Sequence, residues 1–403
     1  MPRLVVGGIP RGADFFDREK IIEELWDKLE HNNVLLQAPR RFGKTGVMFA
    51  LIDNPKQDFK PIYIDTEDLF GAENFMIEIL ANLLQDHTFR KVLYNLWDES
   101  KEIGRFIRDW PSGVDIGGVK VELREKTDIR SNWRTYGERI MELLSSGDGK
   151  PLLIIDEFPI MLSNIHRRNQ EEAEQLLRWF RAARLAPNTK TRFLIGGSIN
   201  LVSTLTAMGL VDTINDLYPM VLRPFDLKTG NNFIEAACAS KGVELPDDVR
   251  HGIMDLIGQP VPFLLATFVD AIFGRIGATS GPVTMDMINS VFSEELLGGR
   301  TAVAFNHYRY RISQYYSREE QPPAQSILGL LSRADDPVRS DTVYHHFLKI
   351  TNLPANDATE DAFKLLMTRL ENDFYIVHEN DRYLFFSRVL KLWWKSHYGF
   401  QLE

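Results

Sequence analysis

The 403-residue chain holds one cysteine, Cys238, so no disulfide can form within it. It lacks any run of about eighteen apolar residues, the length needed to cross a bilayer as a helix. The first residues, MPRLVVGGIPRG, have no apolar core and no small-residue cleavage site of the secretory kind. These absences set a cytoplasmic location, with no membrane partner, as the expectation. A basic excess is also missing: Lys plus Arg number 47 against 56 Asp plus Glu, a formal charge of −9. That balance argues against a general nucleic-acid binder, because phosphate contacts need a local surplus of cations. No Asn-Lys-x-Asp segment of the guanine-reading kind is present. Cys238 itself reads as a small buried apolar residue.

What is present has the texture of a folded globular chain, with 44% hydrophobic and 26% charged residues. The length exceeds one compact core and predicts two or three domains. Residues 16–30 show helical spacing with a charged outer face. Short apolar runs at 33–38, 60–65, 151–157, 191–198 and 219–223 read as buried strands, with helical patterns at 44–53, 72–86, 131–146 and 169–184 between them. Such alternation makes a parallel sheet covered on both faces, with ligands at the carboxyl ends of its strands. Residues 100–130 are charged and break the rhythm. Val119, Val121 and Leu123 follow Gly117-Gly118 and suggest a small hairpin in an insertion.

From about residue 226 helical patterns take over, at 229–241, 247–257, 262–276 and 284–296. The polar, Pro-containing stretch 317–325 reads as a linker. The tail reads as three helices, two alternating strands around the turn Glu379-Asn380-Asp381-Arg382, and a last helix. That is a winged-helix pattern. The expected division is therefore 1–225 as the sheet core with the insertion, 226–316 as an all-helical lid, and 326–403 as a winged-helix domain.

Three segments carry chemistry. Ala38-Pro39-Arg40-Arg41-Phe42-Gly43-Lys44-Thr45-Gly46 lies between a buried strand and a helix. Its Gly-Lys-Thr end matches the phosphate-binding loop, in which backbone N–H groups and the helix N-terminus face an anion. Lys44 then reaches the β- and γ-phosphates of ATP, and the Thr45 hydroxyl ligates Mg²⁺. Leu152-Leu153-Ile154-Ile155-Asp156-Glu157 is a buried strand ending in two acids. Asp156 is the expected Mg²⁺ ligand and Glu157 the expected general base for the attacking water. The strand end Ile195-Gly196-Gly197-Ser198-Ile199-Asn200 offers a polar residue to sense the γ-phosphate, Ser198 first and Asn200 in reserve. Helix capping by Ser198 fits the same residues. Arg178, Arg181 and Arg184 share a helix face and read either as a solvated face or as a source of an arginine finger. Arg223, at the end of the last strand, is a further sensor candidate.

The loop PRRFGKT resembles the GPRRxGKT form of the archaeal-type ATPase family, in the STAND and AAA+ division of P-loop proteins. Phe16-Asp17-Arg18-Glu19 resembles that family's N-terminal Phe-x-x-Arg-Glu segment. Gly258-Gln259-Pro260-Val261-Pro262-Phe263-Leu264 resembles its lid motif. The tail resembles its winged helix in Leu370-Glu371-Asn372-Asp373, Tyr383-Leu384-Phe385-Phe386 and Trp393-Trp394. Ala38 and Gln259 stand where the family commonly has glycine. The resemblance implies an α/β P-loop core with helical lid and winged helix. It also implies an adenine pocket bordered by Phe16 and Arg18, a lid contact through Pro260, and a nucleotide-dependent switch more than a processive motor.

The winged-helix segment 325–403 has nine Lys plus Arg against eleven Asp plus Glu. That favours a protein partner over DNA. The aromatic cluster Tyr383, Phe385, Phe386, Trp393 and Trp394 reads as core. The basic-aromatic stretch 307–316, HYRYRISQYY, leaves single-strand stacking open beside an amphipathic helix. Assembly with further copies of the chain stays open.

Overall fold

A computed structural model describes residues 3–85, 89, 120, 128–146, 149–187, 189–278 and 282–399. Val119, Val121 and Leu123 of the expected hairpin lie outside these residues, and Lys120 between them is helical rather than extended. The chain divides into two compact units. A sheet unit comprises Asp17–Arg40 and Lys44–Leu222. A helical unit comprises Met1–Phe16, Arg41–Gly43 and Arg223–Glu403.

In the sheet unit, α1 (Glu19–His31) leads to β1 (Asn33–Gln37), α2 (Lys44–Asp53), β2 (Phe59–Asp65) and α3 (Ala72–Gln85). Next come α4 (Ile129–Ser146), β3 (Lys150–Asp156), α5 (Phe158–Arg168), α6 (Gln170–Arg184), β4 (Arg192–Gly197), α7 (Leu201–Met208) and β5 (Leu217–Val221). Asp17 has φ +44°, so α1 begins at Glu19, three residues later than hydrophobic spacing alone predicts. The strands run in the order β2-β3-β4-β1-β5, all parallel. Pro61 and Pro219 fall in the two outer strands, where a missing N–H costs no ladder bond on the free side. The last strand occupies 217–221, not 219–223, because Leu217 to Val221 pair with Asn33 to Gln37.

Both faces of this sheet are buried, which is why its inner strands read as unbroken apolar runs. On one face Leu35, Ile64, Leu153, Ile155, Phe193 and Ile195 pack with Phe75, Phe158 and Phe180. The side chains that alternate with them, Val34, Leu36, Leu152, Ile154 and Leu194, are also fully buried. The register sets Asp65 beside Asp156 and Gln37 beside Gly197, so the carboxyl ends of four strands line up.

The helical unit continues with α8 (Leu227–Lys241), α9 (Asp247–Ile257), α10 (Pro262–Ala278), α11 (Met285–Val291), a π-helical stretch Phe292–Arg300, and α12 (Ala302–Tyr315). Then come α13 (Gln321–Arg333), β6 (Val338–Arg339), α14 (Ser340–Thr351), α15 (Asp357–Asn372), β7 (Ile376–Glu379), β8 (Arg382–Phe385) and α16 (Arg388–Tyr398). The expected linker 317–325 is shorter than its composition suggests. Pro322 and Pro323 lie in the first turn of α13, where a helix needs no N–H from them. The hairpin β7–β8 turns on Asn380 and Asp381, at φ +50° and +60°, which is the two-residue turn this pair of residues favours. β6 pairs with β8 to complete a three-stranded sheet.

Tyr383, Phe385, Trp393 and Trp394 are buried, as their reading as core requires, whereas Phe386 is only half-buried. Within 307–311 the contacts are mixed: Arg311 is buried near Asp373, Tyr308 packs on Tyr375 and Arg309 lies over Tyr398, while Tyr310 is exposed. Cys238 is buried, and burial pushes its thiol pKa up. Among the described residues no helix is long and apolar enough to cross a membrane.

Of the three arginines on α6, Arg178 pairs with Glu174, and Arg181 donates to Asn215. Arg184 is a buried pin. Its Nε and Nη2 bind both oxygens of Asp216 at 2.8 Å, Nη2 also donates to the Thr213 carbonyl, and its guanidinium covers the Phe180 ring. A fully engaged, desolvated guanidinium is a structural element of its own unit. Arg184→Ala leaves Asp216 buried and unpaired and is expected to cost about 3 kcal/mol. A urea midpoint unchanged from wild type would contradict this assignment.

Candidate active site

The site is assembled where β1, β3 and β4 end. The first glycine of the phosphate-loop pattern is Ala38, which is buried and is not among the residues at positive φ. A methyl group is therefore compatible with the backbone there. Positive φ occurs instead at Arg41 (+75°) and Gly43 (+89°), curling the chain immediately before α2. Successive N–H groups in such a curl, and the positive end of a helix such as the ten-residue α2, are features that favour an anion.

Lys44, the first residue of α2, is buried to 6% exposure. Its ammonium donates to Asp156 Oδ1 and, at 3.1 Å, to Glu157 Oε1. Thr45 Oγ1 donates to the other Asp156 oxygen at 3.0 Å. Burial opposes a charge on Lys44, but the Asp156 and Glu157 carboxylates outweigh it and hold the lysine pKa above its ordinary value. Burial likewise opposes the Asp156 charge, and Lys44 and Thr45 outweigh that, holding its pKa below the carboxylate norm.

Glu157 has φ +57°, a left-handed conformation that costs a residue with a side chain about 1 kcal/mol. It is held there from two sides. Lys44 takes Oε1, while Oε2 accepts from both the Ser198 N–H (2.7 Å) and the Ser198 hydroxyl (2.9 Å). Ser198 is therefore tied to Glu157, and the neighbouring helix cap belongs to Asn200, which accepts from the Ser203 N–H. The glycines before Ser198 are there for space. A Cβ on Gly196 would lie 2.5 Å from Met48 and 3.1 Å from the Lys44 side chain, and one on Gly197 would lie 2.4 Å from Pro159.

Two residues absent from the sequence-based candidates also reach Asp156. Tyr63 donates its hydroxyl to Oδ2 at 3.3 Å, and the Thr66 hydroxyl donates to the Asp156 carbonyl at 2.7 Å. Burial, then the Asp156 charge, raises the Tyr63 pKa, so the phenol stays protonated and able to donate. Burial also raises Asp65 and Glu67, with the charges of Asp156 or Glu157 adding to it. The signal for Tyr63 was its place near the end of β2. Only the pairing of β2 with β3 gives that place a meaning.

The remaining candidates are distributed as follows. Pro39 is buried, Arg40 half-buried and Gly46 buried. Burial lowers the Arg18 pKa to about 10. Phe16 packs edge-on against Phe225 and Phe233 at 6.3 and 5.4 Å, and the Phe225 N–H donates to the Pro260 carbonyl at 3.1 Å. Phe16 and Pro260, far apart in sequence, are thus brought to one aromatic group. Arg41 and Phe42 belong by their contacts to the helical unit, and Arg223 is exposed.

The donor set fits Mg²⁺: a hydroxyl and a carboxylate are hard oxygen ligands on one edge of the site. Among the described residues no group of three or more His, Cys, Asp or Glu could hold a metal.

This sheet order, loop and acid-ended strand define an α/β fold of the P-loop ATPase type. The chain is similar in structure to a Walker-type ATPase of Pyrococcus abyssi, with TM-score 0.64, 18% identity, and 98% of each chain covered. It is also similar to the ORC2 protein of Aeropyrum pernix, solved in complexes with ADPNP and ADP, at TM-score 0.50 and 12% identity over 94% of this chain and 93% of that one. At such identities the likeness speaks for the fold. No protein-family model matches the sequence, and no curated protein matches it.

The charge cluster predicts its own pH dependence. The Asp156 pKa in the folded chain lies below its ordinary 3.8, so its stabilisation is complete above that value and fades as pH falls further. The Lys44 pKa lies above 10.5, so its share is complete below that value and is lost as pH rises through the higher folded one. Lys44→Met is expected to destabilise by about 3 kcal/mol across the plateau between these limits. The difference should shrink in acid. Urea unfolding of both proteins from pH 3 to 9 checks this, and a difference growing towards acid would refute it.

Proposed function

We propose that this protein binds ATP with Mg²⁺ and hydrolyses it to ADP and phosphate, slowly, as a regulatory switch. One observation carries the reading: a buried lysine at the head of α2 shares its charge with two acids, one of which is also held by Ser198. In this reading Lys44 binds phosphate oxygens, which replace carboxylates as its partners. Thr45 and Asp156 hold Mg²⁺, which neutralises charge on the β- and γ-phosphates. The backbone of Pro39 to Gly46 cradles the phosphates. Glu157 orients the attacking water and takes its proton at the oxygen that Lys44 gives up, while Ser198 keeps the other oxygen fixed. Tyr63 and Thr66 steady Asp156. Phe16, Arg18 and Pro260 border the base.

Residues 1–225 form the ATPase core, 226–316 the lid and 326–403 a winged helix, which passes the nucleotide state to a protein partner. A nucleic-acid partner of the origin-recognition or transposition-helper kind is the second reading. The helix that would enter a groove, α15, speaks against it. Lys364 is paired with Glu360, Arg369 is tied to Glu320 and the Tyr315 carbonyl, and Asp357, Glu360 and Asp361 are exposed. A DNA-reading face needs free cations.

Purified protein is expected to hydrolyse ATP in Mg²⁺, with Lys44→Ala and Glu157→Gln each lowering the rate at least a hundredfold and Glu157→Gln still binding ATP. Single- and double-stranded DNA should leave the rate unchanged. A salt-sensitive rise of several-fold with DNA would move the assignment to the second reading. Wild type that binds ATP without turnover would make the protein a nucleotide-dependent scaffold.

A further inference from the structure

Residues Arg41–Gly43 of the phosphate loop group by their contacts with the helical unit, although the chain enters and leaves them from the sheet unit. Phe42 is 3% exposed. Its ring lies 5.8 Å from that of Phe386, at the end of β8, and Phe386 packs edge-on against Phe374 at 5.5 Å. The Arg41 guanidinium lies over the Phe263 ring, 4.7 Å from its centre, at the start of α10. Such a contact is attractive for a cation on an aromatic face.

Two of these residues hold backbone conformations that disfavour a side chain. Phe374 has φ +61° and Arg41 has φ +75°. A bulky residue stays in the left-handed region only where its surroundings fix it. For Phe374 the fixing is visible. It follows the end of α15, its N–H donates to the Glu371 carbonyl at 2.9 Å, and its ring is aimed at Phe386.

The same β8–α16 turn is bolted to the turn between α9 and α10. The Arg388 N–H donates to Gln259 Oε1 at 3.0 Å, and the Arg388 guanidinium donates to the Asp255 carbonyl at 2.9 Å. Gly258, at φ +70°, lets the Arg388 side chain approach: an added Cβ would lie 3.1 Å from it. Gln259, which stands where related loops carry glycine, thus has a defined partner. The next residue, Pro260, accepts from Phe225, the ring that packs on Phe16.

We propose that Phe386 is a positioning residue for the phosphate loop: by seating Phe42 it keeps the Arg41–Gly43 curl in its anion-binding form, and Arg388–Gln259 sets where Phe386 stands. ATP affinity then depends on a turn more than three hundred residues downstream of the loop. This inference deepens the ATP-binding reading above and rests on it.

Binding of a fluorescent ATP analogue and steady-state hydrolysis test it together. Phe386→Ala should weaken binding and raise KM about tenfold while kcat stays within twofold, because the variant has to order its loop on binding but its acids are untouched. Phe386→Leu should recover most of the affinity. The double variant Phe42→Ala with Phe386→Ala should be no weaker than the weaker single variant. Effects that multiply would overturn the proposal, as would Phe386→Ala binding like wild type. If Phe386→Ala does not fold by circular dichroism, Gln259→Ala serves instead, with a loss of about threefold expected and wild-type affinity overturning the proposal. Wild type that binds no ATP would sink the nucleotide reading and this inference with it, whereas an unchanged Phe386→Ala sinks this inference alone.

Discussion

The arrangement turns on one buried cation. Lys44 sits among apolar helix and strand residues with two carboxylates on it, and none of the three charges would be tolerable there without the others. To bring them together, α2 must start directly after a left-handed curl, β3 must end level with it, and β4 must pass closely enough to need glycine. The sheet order β2-β3-β4-β1-β5 supplies this by placing β4 between the lysine's strand and the acids' strand. Strained and costly features collect at the same point: the left-handed Glu157, the desolvated Lys44, and Asp65 and Glu67 with raised pKa values. Such concentration is a mark of a site shaped for a ligand rather than for stability alone.

Around that point, the polar residues sort by what they hold. Ser198 fixes the acid that would act on water. Asn200, two residues on, fixes a helix start. Arg184 fixes Asp216, with no role at the strand ends. Residues of similar type and similar sequence context thus have different duties, because what matters is which partner the fold places within hydrogen-bond reach.

The helical unit shows the same economy. Its aromatic residues are mostly interior, with Trp393 packed on Phe305 and Tyr375 on Tyr308. Phe386 differs in being only half-buried. On α15, Lys364 is paired with the exposed Glu360, and Arg369 is tied to Glu320 and the Tyr315 carbonyl.

The sequence by itself determined the parallel α/β core, because strands buried on both faces must be written as unbroken apolar runs. It also determined the Gly-Lys-Thr loop and the Asp-Glu strand end, since backbone curl, helix start and acid placement are local matters. The Asn380-Asp381 hairpin was legible for the same reason. Tertiary structure decided what depends on neighbours distant in sequence. Tyr63 gained its contact with Asp156 only through the pairing of β2 with β3, and Ser198 became a partner of Glu157 only because β4 lies beside β3. The start of α13 at two prolines could not be told from a linker by composition. The seating of Phe42 on Phe386 joins residues whose separation along the chain leaves no periodic trace. Spacing rules report which residues share a face of one element, whereas contacts between elements are fixed by packing, which a single sequence records only indirectly.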